Sequence, residues 1–302
     1  MCPVFIAPIS FGLGDLVVSL PVIQGLIAEG ASTGEQTRLV ARSSAQALLA
    51  ERIRGVTGCV DEESFDATRC RGRFVDLRDH PLQRDYWWGS AEFEIAFGDL
   101  DINDILARIC TDFGIRADFS RPVPLDARPR PELRDSVLLV TETDGPAKLW
   151  PPDKWASLAA ELGSLDLDVR QVTRSGGASE MQGTGIRELR APTPGDAVDV
   201  LTACRAVIGI DTGLTHIAAQ QGTPTVTICR QRSVFFRPWP NCRALRGDPC
   251  AEECLAAERA YAYNARVSLR GFHGEPRPCP VGGRCLDSTG PEQALALLNE
   301  LL

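Results

Sequence analysis

The sequence predicts an α/β protein of two domains, each a parallel sheet covered by helices. Three observations carry this. Short runs rich in Val, Ile and Leu alternate with stretches whose apolar residues recur at helical spacing, the pattern of strand–helix–strand units. In the second half, Ala206 to Ile210 is an apolar run without polar alternation, as expected of a strand buried on both faces. It stops at Asp211-Thr212-Gly213, and a helical stretch and another apolar run follow. Near the middle, Pro122, Pro124, Pro129 and Pro131 crowd a polar segment, which favours an extended, semi-rigid linker. A chain of 302 residues is long enough for two domains of ordinary size. The expected division is 1–128, then 129–290 with a cysteine-rich segment at 242–285. A terminal helix, 291–302, has an apolar face to lay back on the first domain.

Taken in order, Pro3 to Ile9 is the first strand. Ser10-Phe-Gly-Leu-Gly-Asp15 follows as a loop, and Leu16 to Ala28 as an amphipathic helix. The glycines suggest a dinucleotide fingerprint, but Val17 holds the position of its third glycine and the fingerprint fails. Asp15 on its own reads as a helix N-terminal carboxylate stabilised by the dipole. Thr37 to Ala41 is a second strand, Ala45 to Ile53 a helix and Arg73 to Leu77 a third strand. His80 is expected to be structural. The stretch from Leu82 to Ser90 then sets Arg84 near Trp87 and Trp88. Aromatic faces stack on sugar C–H surfaces while charged neighbours bond hydroxyls. The same tryptophans also suit a seam between domains, and both readings stay open. Ile102 to Phe113 is the last helix before the linker.

In the second half, Ser136 to Thr141 is a strand, followed by a loop holding Thr143 and Lys148-Leu-Trp-Pro-Pro152 and by the helix Ala156 to Leu162. Lys148 is a compact cation suited to phosphate, or an ordinary loop lysine. Val169 to Thr173 is a strand, Arg174 to Glu180 a Gly-rich loop at its C-terminal edge, and Asp196 to Cys204 a helix. Leu214, Ile217 and Ala218 have helical spacing, Gly222 fits a helix C-cap with Pro224 just beyond, and Thr225 to Cys229 is the next strand. This order puts Asp211-Thr212-Gly213 at the C-terminal edge of a parallel sheet, where open α/β folds bind ligands. The free N–H groups and dipole of a helix start favour phosphate, and Gly213 leaves room for a bulky anion. A plain N-cap and a turn glycine are the alternative.

The net charge of −8 argues against a nucleic-acid-binding surface. No run of about 18 apolar residues offers a spanning helix. The apolar N-terminus lacks a basic lead and contains Asp15, which argues against a signal peptide. Eleven cysteines then point to reduced thiols in a cytosol rather than to a disulfide scaffold.

Asp211-Thr212-Gly213, His216 and Gly222-Thr223-Pro224 together resemble the C-terminal motif of glycosyltransferase family 9, the bacterial heptosyltransferases. Lys148 to Pro152 with Trp155 is similar to the family segment in which a Lys precedes Trp-Pro and the next helix. Gly14-Asp15, before an apolar helix containing Pro21, resembles the N-terminal motif. The three motifs come in order and span both halves; between them the chain matches only as alternating strands and helices.

The resemblance implies the GT-B architecture, two Rossmann-like domains with parallel sheets facing across a cleft. It implies inverting transfer of a heptosyl group from a nucleotide sugar, ADP-heptose, to an acceptor hydroxyl. Asp15 is then the catalytic base. Lys148, Thr141, Thr143, Asp211, Thr212, Gly213 and His216 lie on the donor side, with Glu180 as a ribose candidate on a loose match. Gly14, Arg84, Trp87 and Trp88 lie on the acceptor side. Lys148 and the Thr212 and Gly213 amides would neutralise the diphosphate leaving group, so no catalytic metal is required. The resemblance also implies a bacterial cytoplasmic enzyme of lipopolysaccharide biosynthesis, in transient contact with the inner face of the membrane. No basic face for a lipopolysaccharide core is evident in the first domain, so a lipid-linked glycan, a protein side chain and a small metabolite all stay open as acceptors. Two alternatives share the architecture: a nucleotide-sugar 2-epimerase, which needs further acid/base groups, and a non-catalytic nucleotide-binding module, which loss of Asp15 or Lys148 would favour.

Cys250-x3-Cys254 and Cys279-x5-Cys285 form two close pairs, with Cys242 to spare. Four thiolates suit a tetrahedral structural Zn or Fe ion. Cys279 to Cys285 also resembles a cysteine-containing tail of the family, some of whose protein-glycosylating members carry a four-cysteine iron site. Buried free thiols and disulfides formed on oxidation are the other readings.

Overall fold

The computed structural model describes residues 2–84, 100–143, 145–174, 186–230, 237, 239–261, 267–268, 271–272 and 279–302. Contacts divide the chain into two compact units, Met1–Asp126 with Leu255–Pro278, and Ala127–Cys254 with Cys279–Leu302. The segment 255–278, expected with the second domain, is grouped with the first.

The first unit holds a four-stranded parallel sheet in the order β3-β2-β1-β4, built from β1 (Val4–Ala7), β2 (Thr37–Ala41), β3 (Val56–Asp61) and β4 (Phe74–Asp76). A parallel sheet must be covered on its faces, and Ile6, Leu39, Val40 and Val75 are buried. The single helix expected over Leu16 to Ala28 is two helices, α1 (Leu13–Val18) and α2 (Leu20–Thr33). The break falls at Ser19. Its hydroxyl donates to the Asp15 carbonyl at 2.7 Å, and its own carbonyl accepts from Val22 and Ile23. Pro21 has no N–H to give, so it sits in the first turn of α2, where none is needed. Among the described residues α3 (Ser44–Ala50), α4 (Pro81–Arg84) and α5 (Ile102–Phe113) follow.

The second unit holds a six-stranded parallel sheet in the order β10-β9-β8-β5-β6-β7. The chain runs from β5 (Ser136–Val140) outward through β6 (Asp168–Thr173) and β7 (Arg187–Arg190). It then returns to the other side of β5 for β8 (Ala206–Ile210), β9 (Thr225–Cys229) and β10 (Cys242–Arg246). The winding therefore reverses between β5 and β8, the switch point at which doubly wound sheets open a crevice. The helices are α6 (Pro152–Ser164), α7 (Pro194–Ala203), α8 (Gly213–Gln220) and α10 (Pro291–Asn299), while α9 (Glu252–Tyr261) begins in this unit and is grouped with the first from Leu255 onward.

The terminal helix α10 packs on α6 and over β8 to β10 within the second unit. Ala294 and Leu298 are buried in the same core as Trp150, Trp155, Ile208, Val226 and Leu245. The chain just before it is tethered as well. Lys154 Nζ donates to the carbonyls of Leu286, Asp287 and Thr289, and Trp150 Nε1 donates to Thr289 Oγ1 at 2.8 Å. Trp150 and Trp155 meet edge to face at 4.8 Å.

In the four- and six-stranded sheets the strands not foreseen are β3, β7 and β10, and each is an edge strand. An edge strand buries little, and β3 and β7 show it: neither holds a buried residue. Their sequences lack the continuous apolar run of a central strand. Among the described residues no helix is long and apolar enough to cross a membrane.

Candidate functional site

At the switch point of the second unit, the C-terminal ends of β5 and β8 lie side by side, with Val140 paired to Gly209. The first turn of α8 comes down onto this edge because Gly209 has no side chain. A Cβ there would meet Thr215 Oγ1 at 2.5 Å and Val140 Cβ at 2.8 Å. Thr215 Oγ1 uses the space to donate to the Ile210 carbonyl at 2.6 Å. At its far end α8 closes through Gly222, whose φ of 78° suits glycine. Gly222 N–H bonds the Ala219 carbonyl and Thr223 N–H the Ala218 carbonyl, a Schellman pair. Both ends of the helix are therefore fixed by the sequence that flanks it.

Asp211 is the centre of this edge. It is 7% exposed, and its carboxylate is shared between two partners. His216 Nε2 lies 3.0 Å from Oδ1, while Lys148 Nζ lies 3.4 Å from Oδ2 and donates to the Asp211 carbonyl at 3.0 Å. A buried carboxylate needs such partners. The same bonds hold the Lys148 ammonium at the sheet edge, with a third of its side chain exposed. Thr212 is the N-cap of α8, yet its side chain makes no capping bond, and Thr212 Oγ1 is buried without a hydrogen-bond partner. Buried hydroxyls are nearly always satisfied.

Other expected residues are placed less directly. Thr141 is buried and its hydroxyl accepts from Gln171 Nε2 at 2.7 Å. Thr143 Oγ1 accepts from Gly145 N–H at 3.1 Å. Cys229, at the end of β9, carries a thiol pushed up to about 12, first by burial and then by Asp211, which makes it inert. Glu180 lies outside the described residues, as do Trp87 and Trp88. Arg84 ends α4, and its side chain is also outside them.

At the sheet edge of the first unit, Gly14 and Asp15 lie inside α1 rather than in the loop before it. Asp15 Oδ2 accepts from Gly12 N–H at 2.9 Å, so the carboxylate caps its own helix. The loop before it is gripped by the first turn of α3: Gln46, fully buried, donates to the Ser10 and Gly12 carbonyls. Beneath lies a charged cluster. Arg42, whose side chain is fully buried, pairs with Glu62 and Asp76, and Arg78 reaches Glu62 at 3.3 Å. Sequence reasoning missed Arg42, Ser43 and Gln46. The polar stop after the strand ending at Ala41 is a signal of the same kind as the one at Asp211. His80 is structural, with Nε2 3.0 Å from Asp112 Oδ2 and Nδ1 accepting from Leu82 N–H.

Burial raises the Cys285 thiol, and Cys250, Cys279 and Cys254 push the same way. Even so, no group of three or more His, Cys, Asp or Glu among the described residues is gathered closely enough to hold a metal ion.

Two units, each built on a parallel sheet with helices, define the GT-B class of glycosyltransferases. The model of glycosyltransferase family 9 (heptosyltransferase) matches residues 111–257, and over that stretch the chain is similar to this family. No curated protein matches the sequence. Among solved structures, the iron-containing dodecameric glycosyltransferase TibC from enterotoxigenic E. coli H10407 is 17% identical. That match covers 99% of this chain and 76% of TibC, with a TM-score of 0.64. A family 9 glycosyl transferase from Veillonella parvula DSM 2008 is 13% identical over 99% of this chain and 97% of its own, also at 0.64. E. coli heptosyltransferase WaaC with ADP is 12% identical over 86% of this chain and 99% of its own, at 0.60. At these identities the likeness is one of fold.

Proposed function

We propose that this glycosyltransferase moves a heptosyl group from ADP-heptose to an acceptor hydroxyl with inversion. The observation that carries the reading is the edge of β5 and β8, where Lys148 is held by Asp211 beside the unsatisfied Thr212 hydroxyl and the start of α8. A diphosphate there would meet a cation, a free hydroxyl donor and the N–H groups of a helix start. The choice of donor leans on the family match and on WaaC and TibC, whose structures hold ADP and ADP-heptose.

In the reaction, the acceptor oxygen attacks the anomeric carbon from the side opposite ADP. The bond to the diphosphate oxygen breaks, and ADP leaves with its electron pair. Lys148 and the amides of Thr212 and Gly213 offset the charge that develops on the leaving group. Asp15 takes the proton from the acceptor hydroxyl. His216 holds Asp211, and Asp211 holds Lys148. The reading asks for no catalytic metal. A thermal-shift screen with ADP-, UDP-, GDP- and dTDP-sugars tests the donor: ADP-heptose should stabilise the parent and leave Gly213→Val unmoved. Equal stabilisation of both would remove the site.

A structural Zn or Fe on Cys250, Cys254, Cys279 and Cys285 belongs to the same reading. The effect of Cys250, Cys279 and Cys254 on the Cys285 thiol supports it, as does TibC, an iron-containing protein. The absence of a gathered ligand set among the described residues stands against it. Elemental analysis of protein purified without chelator or a histidine tag decides: about one equivalent of metal, lost in Cys254→Ser, is expected.

A further inference from the structure

Three successive carbonyls in the loop before Asp15 are each held by a side chain from the start of α3, its N-cap Ser43 or Gln46 in its first turn. Gln46 Nε2 donates to the carbonyls of Ser10 and Gly12 at 2.8 Å each, and Ser43 Oγ donates to that of Phe11 at 2.8 Å. Gln46 is itself oriented, since its Oε1 accepts from Arg42 N–H at 2.9 Å. One peptide stands at the centre. The carbonyl that Ser43 holds belongs to the Phe11–Gly12 peptide, and the N–H of that same peptide donates to Asp15 Oδ2 at 2.9 Å. A peptide is a rigid plane, so fixing one end aims the other. Gln46 locks the peptides on both sides of it. Buried carbonyls need partners for folding alone. What goes beyond folding is the convergence of these bonds on an N–H that meets the carboxylate.

We propose that Ser43 and Gln46 are positioning residues that set the direction of the Asp15 carboxylate through the Gly12 N–H. The proposal rests on the reading of Asp15 as the base. A loose carboxylate would misplace the proton acceptor, and misplacement of about 1 Å can cost up to about 10²-fold in rate.

The test uses the full chain labelled with ¹³C at the aspartate carboxyl carbons, with the Asp15 resonance assigned by its loss in Asp15→Asn. Ser43→Ala, and more strongly Gln46→Met, should displace that resonance at fixed pH. Ser43→Thr, which keeps the hydroxyl, should leave it in place. ADP release from ADP-heptose, with water as acceptor, should fall about tenfold in kcat in Gln46→Met with KM within about twofold. If Gln46→Met does not fold, Ser43→Ala at its partly exposed position carries the measurement. A parental resonance in the folded variants overturns the proposal, and so does an equal displacement in Ser43→Ala and Ser43→Thr. Parental ADP release in Asp15→Asn removes the base itself, and the positioning role falls with it wherever the resonance lies.

Discussion

The two sheet edges share a topology and differ in what their side chains hold. In the second unit, side chains bind one another. Asp211 joins Lys148 to His216, and the outcome is a cation at the surface next to a hydroxyl with no partner. In the first unit, Ser43 and Gln46 bind backbone, and the charges beneath them cancel. Arg42 is sunk among Glu62 and Asp76, and burial pushes its guanidinium pKa down while Asp76 and Glu62 oppose the shift. One edge leaves a cation partly exposed, and the other is closed around its own loop. A strand–loop–helix edge is therefore no guide to chemistry by itself. The first few polar residues after each strand decide it.

The largest expected effect breaks the closed edge. Arg42→Leu leaves Glu62 and Asp76 without their partner, and losing one side of a buried ion pair costs about 3–5 kcal/mol. The low end is expected, since the Asp76 side chain keeps 21% of its exposure and Arg78 still reaches Glu62. Urea unfolding measures it, and a loss under about 1 kcal/mol would mean that the cluster behaves as a surface pair. Next, Asp15→Asn keeps the Gly12 N–H bond and removes the basicity. Turnover of ADP-heptose should drop by about 10² or more, with ADP binding unchanged by calorimetry. A drop in both would contradict a division of roles between the edges.

Lys148→Ala tests the open edge. ADP affinity should weaken by about 1.5–3 kcal/mol, the value of a bond to a charged group, while stability changes little because Asp211 keeps His216. Unchanged affinity would take Lys148 out of the site. The smallest effect sharpens the contrast most. Thr212→Val removes a buried hydroxyl that satisfies nothing, so the free protein should hold its stability or gain up to about 1 kcal/mol. ADP should nevertheless bind a few-fold more weakly. A destabilised free protein would show that the hydroxyl has a structural partner.

What the sequence determined by itself follows from local physics. Strands buried on both faces are rich in apolar and β-branched residues, so β2, β8 and β9 lie where they were read, from Thr37, Ala206 and Thr225 onward. Helix α5 follows its apolar period and the Asp101 and Gly114 caps. The edge of α8 was legible because its caps and turn lie within a dozen residues of one another. Tertiary structure decided the rest. Lys148 and Asp211 stand 63 positions apart, Gln46 and Ser10 36, and neither separation leaves a local trace. The edge strands bury too little to need an apolar run. The terminal helix displayed an apolar face, but a face specifies only that something must cover it. Its place on the second unit was settled by the core of Trp150 and Trp155 and by the Lys154 tether at its start.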